Sequence, residues 1–106
     1  MSYKIIPLNT GDISADKGVY MTWGRGLGTK VRLPATAWLV EDGTHAILVD
    51  TGMCDTERAD RWHHKGSVQP QGRDVVSLLR SRGIEPGDID LVIFTHLHWD
   101  HCSNIK

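Results

Sequence analysis

The chain has 106 residues, 40% of them hydrophobic and 24% charged, with 12 Lys+Arg against 13 Asp+Glu for a formal net charge of −1. That balance excludes a basic nucleic-acid binder, an acidic tail and a disordered chain, and the length allows one domain at most. No apolar run approaches the roughly 20 residues of a membrane span, the N-terminal apolar stretch is too short for a signal peptide, and two cysteines, Cys54 and Cys102, make no disulfide framework, so the expectation is a soluble, cytoplasmic protein.

Residues 3–8 are a strand candidate, closed by the turn cluster Asn9-Thr10-Gly11-Asp12. Residues 18–23 are a second, with Val19, Met21 and Trp23 alternating, and Arg25-Gly26-Leu27-Gly28 breaks it. Residues 35–41 and 45–50 flank Asp42-Gly43-Thr44, and Asp-Gly between apolar runs predicts a hairpin. Ala46-Ile47-Leu48-Val49 is continuously apolar, which predicts a strand buried on both faces. Residues 51–73 are polar and irregular, with room for a short helix over 56–64. A cleaner helix over 72–82 carries Val75, Leu78 and Leu79 on one stripe. Gly83 suits its left-handed cap, and Ile84 can fold back onto the stripe. Pro86-Gly87-Asp88 turns the chain into residues 91–94, a second continuously apolar run read as a buried strand. Hairpins followed by strand, helix and strand predict an α/β (α+β) layer, a mixed β-sheet covered by helices.

Thr95-His96-Leu97-His98-Trp99-Asp100-His101 follows that last strand directly and holds three of the chain's 6 histidines. On an extended segment, residues two apart face the same way, so His96 and His98 can offer their imidazoles to one metal ion. Where the chain turns toward helix, Asp100 and His101 are re-aimed and can reach a second. Neutral imidazole with carboxylate suits Zn²⁺, and also Fe or Mn. Two ions about 3.5–4 Å apart activate a bridging water and polarise a carbonyl or phosphoryl oxygen.

His-x-His-x-Asp-His after an apolar strand resembles the zinc signature of the metallo-β-lactamase superfamily. Upstream, Ile47-Leu48-Val49-Asp50-Thr51-Gly52 resembles its other hallmark, a strand ending in Asp-Thr-Gly beneath the metal site. The resemblance implies that residues 1–106 form the N-terminal half of an αββα sandwich of two similar halves, the C-terminal half being absent. It implies that His96 and His98 bind the first metal and Asp100 and His101 the second. Asp100 would also steer protons at the bridging hydroxide or the leaving group. Asp50 would lie behind the ligands and shape the loop without being one. The remaining ligands of the family, a histidine for each metal and a bridging aspartate, would lie downstream.

Trp99 inside the motif, Leu33-Pro34 before Ala37-Trp38-Leu39-Val40, and the long segment after Asp50-Thr51-Gly52 resemble the N-acyl homoserine lactonase-like group. That group opens a lactone ring with a metal-bound hydroxide. The same signature serves thioesterases of the glyoxalase II type, β-lactamases, nucleases, phosphodiesterases and iron-using flavodiiron proteins. The partners implied are a small-molecule ester or lactone substrate, and a second copy or a complementing C-terminal fragment to cover the open sheet face; nucleic acid and membrane are not implied. A rival reading is a non-catalytic metal-binding half-domain that pairs with another chain. Cys102-Ser103-Asn104 stands where many relatives have a glycine-rich turn.

Other candidates are weaker. His63 and His64, beside Lys65-Gly66 at a helix end, read as solvated imidazoles favoured by the helix dipole, with the mouth of a pocket as the alternative. His45 reads as a surface residue. Cys54 and Cys102 read as packing thiols, with a spare ligand or a disulfide as alternatives. Met21, Trp23 and Trp62 read as core, with an acyl-chain pocket as the alternative. Gly24-Arg25-Gly26-Leu27-Gly28 lacks the strand-to-helix context and the Lys-Ser/Thr of a phosphate loop.

Overall fold

In the computed structural model, which describes residues 2–105, four strands form one mixed sheet in the order β1-β2-β3-β4. They are β1 (Lys4–Asp16), β2 (Lys30–Glu41), β3 (Ala46–Val49) and β4 (Leu91–Ile93). β1 and β2 pair antiparallel, as do β2 and β3, whereas β3 and β4 run parallel. The expected hairpin joins β2 to β3. Asp42 Oδ1 accepts from Thr44 N at 2.8 Å and His45 N at 2.6 Å, and Gly43 takes φ 90° in the left-handed region that glycine enters without strain.

A parallel pair needs a long crossover. Here it contains α2 (Thr56–Arg58), which runs on as a π-helical turn over Ala59–His63, and then α3 (Val75–Arg80). The short helix expected over 56–64 is therefore present, with its second half widened. α3 is shorter than expected because Asp74 caps it: Oδ2 accepts from Ser77 N at 3.0 Å and Oδ1 from Ser77 Oγ at 2.6 Å. Gly83 sits at φ 76°, and Ile84 N donates back to Leu79 O at 3.0 Å.

Two clusters make the core. Leu8, Ala37, Leu39 and Leu48 of the sheet meet Val75 and Leu79 of α3. Farther along β1 and β2, Ile13 and Ala35 pack with Met53, Cys54 and Ala59. In β2 the alternation is strict, with Ala35, Ala37 and Leu39 buried while Pro34 and Trp38 are exposed, so only one face of this strand is packed.

Four expectations are corrected. The cluster Asn9-Thr10-Gly11-Asp12 is not a turn but a register shift inside β1. Asn9 Oδ1 accepts from Gly11 N at 3.0 Å, and Asp12 exchanges two 2.8 Å backbone bonds with Val68. Residues 18–23 are not a strand. Asp16 Oδ1 accepts from Gly18 N and Val19 N and starts α1 (Lys17–Tyr20), so the alternation there has no partner strand to face. β3 is not buried on both faces, since only Leu48 is fully covered. β4 is not buried either: Leu91, Val92 and Ile93 are 52%, 37% and 45% exposed. It is the last strand of the sheet, and its apolar run meets no covering layer among the described residues.

Candidate metal centre

The parallel pairing of β3 with β4 brings both of their C-terminal ends to the same edge of the sheet, with Val49 opposite Ile93. The Asp50-Thr51-Gly52 turn therefore lies beside the histidine run, although some forty-five residues separate them in sequence. Asp50 N donates to Ile93 O at 2.8 Å, after which the backbone turns left-handed at Asp50, φ 62°. Aspartate tolerates that region better than most residues.

The turn is 2% exposed at Asp50, and its carboxylate is fully used. It accepts from Thr95 N (2.8 Å to Oδ1), Thr95 Oγ1 (2.8 Å to Oδ2) and His101 Nδ1 (2.7 Å to Oδ2). Burial pushes the Asp50 carboxyl up, but the hydrogen bonds from Thr95 and His101 outweigh it and hold the group below its ordinary range. Asp50 is therefore a charged, acceptor-only group at neutral pH. Against that charge His101 Nδ1 is the donor, and its Nε2 turns away from Asp50, 3.2 Å from Asp100 Oδ2.

β4 gives way to an extended segment that ends at His98, and α4 (Trp99–Cys102) then begins. The four candidate ligands meet here. The His96 ring lies 4.6 Å from that of His98 and 4.1 Å from that of His101, and His101 Nε2 is 3.2 Å from Asp100 Oδ2. As they stand, no three His, Cys, Asp or Glu side chains among the described residues converge on a single ion position. The donor set, three imidazoles and a carboxylate, suits a borderline divalent cation such as Zn²⁺. Its number amounts to two groups per ion if it is shared between two.

Sequence reasoning missed the residues that clamp this assembly. Thr51 N donates to His101 O at 2.7 Å, and Asn104 Nδ2 donates to Thr51 O at 2.8 Å and to Met53 O at 2.9 Å. The Cys102-Ser103-Asn104 stretch thus ties α4 to the Asp-Thr-Gly turn. Thr10, fully buried at the β1 shift, donates to Ala35 O at 2.6 Å and accepts from Met53 N at 3.0 Å beneath Gly52. Polar residues inside an apolar strand were the available signal for Thr10; nothing local marked Asn104.

A cleft of about 530 Å³ opens onto the cluster, walled by Ile13, Leu33, Trp62 and His63 and reaching His98 and Asp100. His63 stacks on Trp99 with ring centroids 4.7 Å apart, and His64 meets Tyr20 edge-on at 4.8 Å. Both histidines line the cleft, as does Trp62, which is not core. Met21 and Trp23 are neither core nor cleft; Trp23 is 92% exposed. His45 is an exposed residue beside Asp42. Cys54 and Cys102 are free thiols; Cys54 is buried, and burial pushes its thiol up, which suits packing rather than reactivity. No helix among the described residues is long and apolar enough to cross a membrane.

Known proteins resemble this chain in sequence and in fold. The N-acyl homoserine lactonase of Bacillus thuringiensis is 32% identical over 84 residues, which cover 72% of this chain and 34% of the relative. That of Bacillus cereus is 30% identical over the same length. The crystal structure of a quorum-quenching N-acyl homoserine lactone lactonase superposes with a TM-score of 0.76 at 27% identity, over 95% of this chain and 40% of that one. A variant of the B. thuringiensis enzyme with N-decanoyl-L-homoserine at its active site gives 0.76 at 26% identity, over 95% and 44%. The chain thus spans about a third of the length of the curated relatives it matches. The family model described as the metallo-beta-lactamase superfamily matches residues 31–106. Because that match takes in β2, β3, the Asp-Thr-Gly turn and the histidine run, the chain belongs to the metallo-beta-lactamase superfamily.

Proposed function

We propose that this chain supplies the N-terminal part of the metal centre and substrate cleft of a lactone hydrolase acting on N-acyl homoserine lactones. The observation that carries the reading is the cluster of His96, His98, His101 and Asp100, anchored from behind by Asp50 and opening into a cleft with apolar walls. His96 and His98 would hold one divalent cation, and Asp100 and His101 a second, with zinc the favoured metal. When bound, such cations polarise an ester carbonyl and make a water acidic near neutral pH.

The chain's own residues do the rest. Asp50 would keep the His101 proton on Nδ1 and leave Nε2, on the side of Asp100, for a cation. Asp100 would hold a proton and pass it to the oxygen released when the ring opens. Ile13, Leu33 and Trp62 would offer apolar surface to an acyl chain. A thioester of similar shape is the nearest alternative substrate.

A catalytic zinc usually has three protein ligands and one open position, and here each ion would have two. Loosely held ions lose preorganisation, and a misplacement of about 1 Å costs on the order of 100-fold in rate. Residues 1–106 alone should therefore bind metal but turn over little lactone. The test has two parts. Elemental analysis should find less metal in His96→Ala/His98→Ala than in the wild type; equal content would remove the ligand assignment. Lactone hydrolysis should be measured with excess zinc, for the chain alone and with a downstream segment carrying the two histidines and the aspartate. Robust turnover by the chain alone, abolished by Asp100→Asn, would overturn the ligand count.

A further inference from the structure

We propose that Thr95 is a positioning residue for His96: its hydroxyl relays the hydrogen-bonding demand of Asp50 to the His96 ring, holding the proton on Nδ1 and leaving Nε2 free to bind a divalent cation. The inference rests on the metal-centre reading above and extends it to a residue outside the ligand set.

Thr95 Oγ1 lies 2.8 Å from Asp50 Oδ2, 3.1 Å from Asp50 Oδ1 and 3.0 Å from His96 Nδ1. A hydroxyl has one proton to donate and two lone pairs to accept with. Asp50 already accepts from Thr95 N at 2.8 Å and His101 Nδ1 at 2.7 Å, two donors that favour the carboxylate over the protonated acid. The Thr95 proton therefore points to Asp50, because a hydroxyl lone pair facing a carboxylate oxygen 2.8 Å away would be repelled. Thr95 Oγ1 is then an acceptor toward His96, and His96 Nδ1 must be the donor.

One buried carboxylate thus orders two imidazoles, His101 directly and His96 through a hydroxyl. The rings so ordered are 4.1 Å apart. Threonine suits the relay for a second reason. Its branched Cβ restricts χ1, and its backbone N–H is bonded to the same Asp50 carboxylate, so the position of Oγ1 is set from two sides. Valine would keep the shape and the backbone bond but lose the relay; serine would keep the hydroxyl with a freer rotamer.

The experiment uses the metal-free chain, at a pH about 1.5 above the ordinary histidine pKa of about 6.5. Long-range ¹⁵N–¹H correlation spectra report the tautomer of each histidine. The wild type and Thr95→Ser should show His96 protonated on Nδ1. Thr95→Val should shift His96 toward the Nε2–H form that a free imidazole prefers in water, with His45 unchanged as the control. Zinc affinity, by competition with a chromophoric chelator, should fall about 10–100-fold in Thr95→Val and be largely restored in Thr95→Ser, the usual range for loss of a ligand's supporting hydrogen bond. An Nε2–H tautomer of His96 in the wild type would overturn the proposal even if Thr95→Val failed to fold. So would a folded Thr95→Val with wild-type tautomer and affinity. A wild type that takes up no zinc yet shows the Nδ1–H tautomer and its loss in Thr95→Val would refute the metal-centre reading while supporting the relay.

Discussion

Replacing Gly52 by alanine tests whether the Asp-Thr-Gly turn is built on the core beneath it. Two costs are separable. Gly52 has φ 78°, where an L side chain is strained by about 1–2 kcal/mol. A Cβ there would also lie 2.7 Å from Thr10 Cβ and closer still to its Cγ2 and Oγ1, whereas real Cβ contacts stay beyond 3.0 Å. Thr10 is fully buried, and moving it would break its bonds to Ala35 O and Met53 N. Overpacking of that kind costs about 1–3 kcal/mol, so Gly52→Ala should destabilise by about 2–5 kcal/mol in all. Gly83 is the control: its φ is 76°, and nothing lies within 4 Å of the Cβ an alanine would add. Gly83→Ala should therefore show the backbone cost alone, about 1–2 kcal/mol. Urea unfolding followed by far-ultraviolet circular dichroism gives both numbers from the midpoints, provided the slopes match. Equal losses in the two variants would refute the close approach of Gly52 to Thr10.

Leu39, fully buried between the sheet and α3, should cost about 2–5 kcal/mol on truncation to alanine, read by the same unfolding curves. Asp74→Ala should cost about 1 kcal/mol through loss of the α3 cap. Burial raises the Asp74 carboxyl, yet the bonds from Ser77 outweigh it and hold the group below the ordinary 3.8. A depressed folded pKa means stability that is present above the unfolded pKa and lost as pH falls through the folded one. The gap between wild type and Asp74→Ala should thus be constant near neutrality and close at pH below about 3.8; a gap that widens in acid would contradict the cap. The open apolar strand β4 should make the chain self-associate or bind a hydrophobic dye, and sedimentation at micromolar concentration checks this. A monomer that binds no dye would argue against an uncovered sheet.

The sequence was most readable where chemistry is local. Asp42-Gly43 marked the hairpin because a carboxylate two or three residues before free amides stabilises a turn without help from the rest of the chain. Gly83 and Ile84 marked the end of α3 for the same reason. The alternation of Val19, Met21 and Trp23 misled because period two carries strand information only if another strand lies alongside, and Asp16 starts a helix there instead. The continuous run at Leu91–Ile93 misled because apolar character reports what a strand can bury, not whether anything covers it. The histidine run was visible as candidate ligands from spacing alone. What held it in place was not, since Asp50, Thr95 and Asn104 act across about fifty residues of sequence through pairings that only the β3–β4 register creates.

That register also explains why a buried charge and a left-handed backbone are tolerated at one residue. Asp50 would be costly on both counts in isolation, since strain at such a position is about 1–3 kcal/mol and an unpaired buried carboxylate costs more. Three donors offset the second cost, with the shortest of the bonds, 2.7 Å, coming from His101. The left-handed turn is what brings the carboxylate under Thr95 rather than leaving it along the strand direction. The strain and the burial are thus two consequences of one placement, and the same placement leaves His101 and His96 each with Nδ1 occupied from below. A residue at position 50 without two acceptor oxygens would leave a donor of Thr95 or His101 without its partner. The orientation of the two imidazoles is in this sense set one layer beneath the histidine run, in the turn at Asp50.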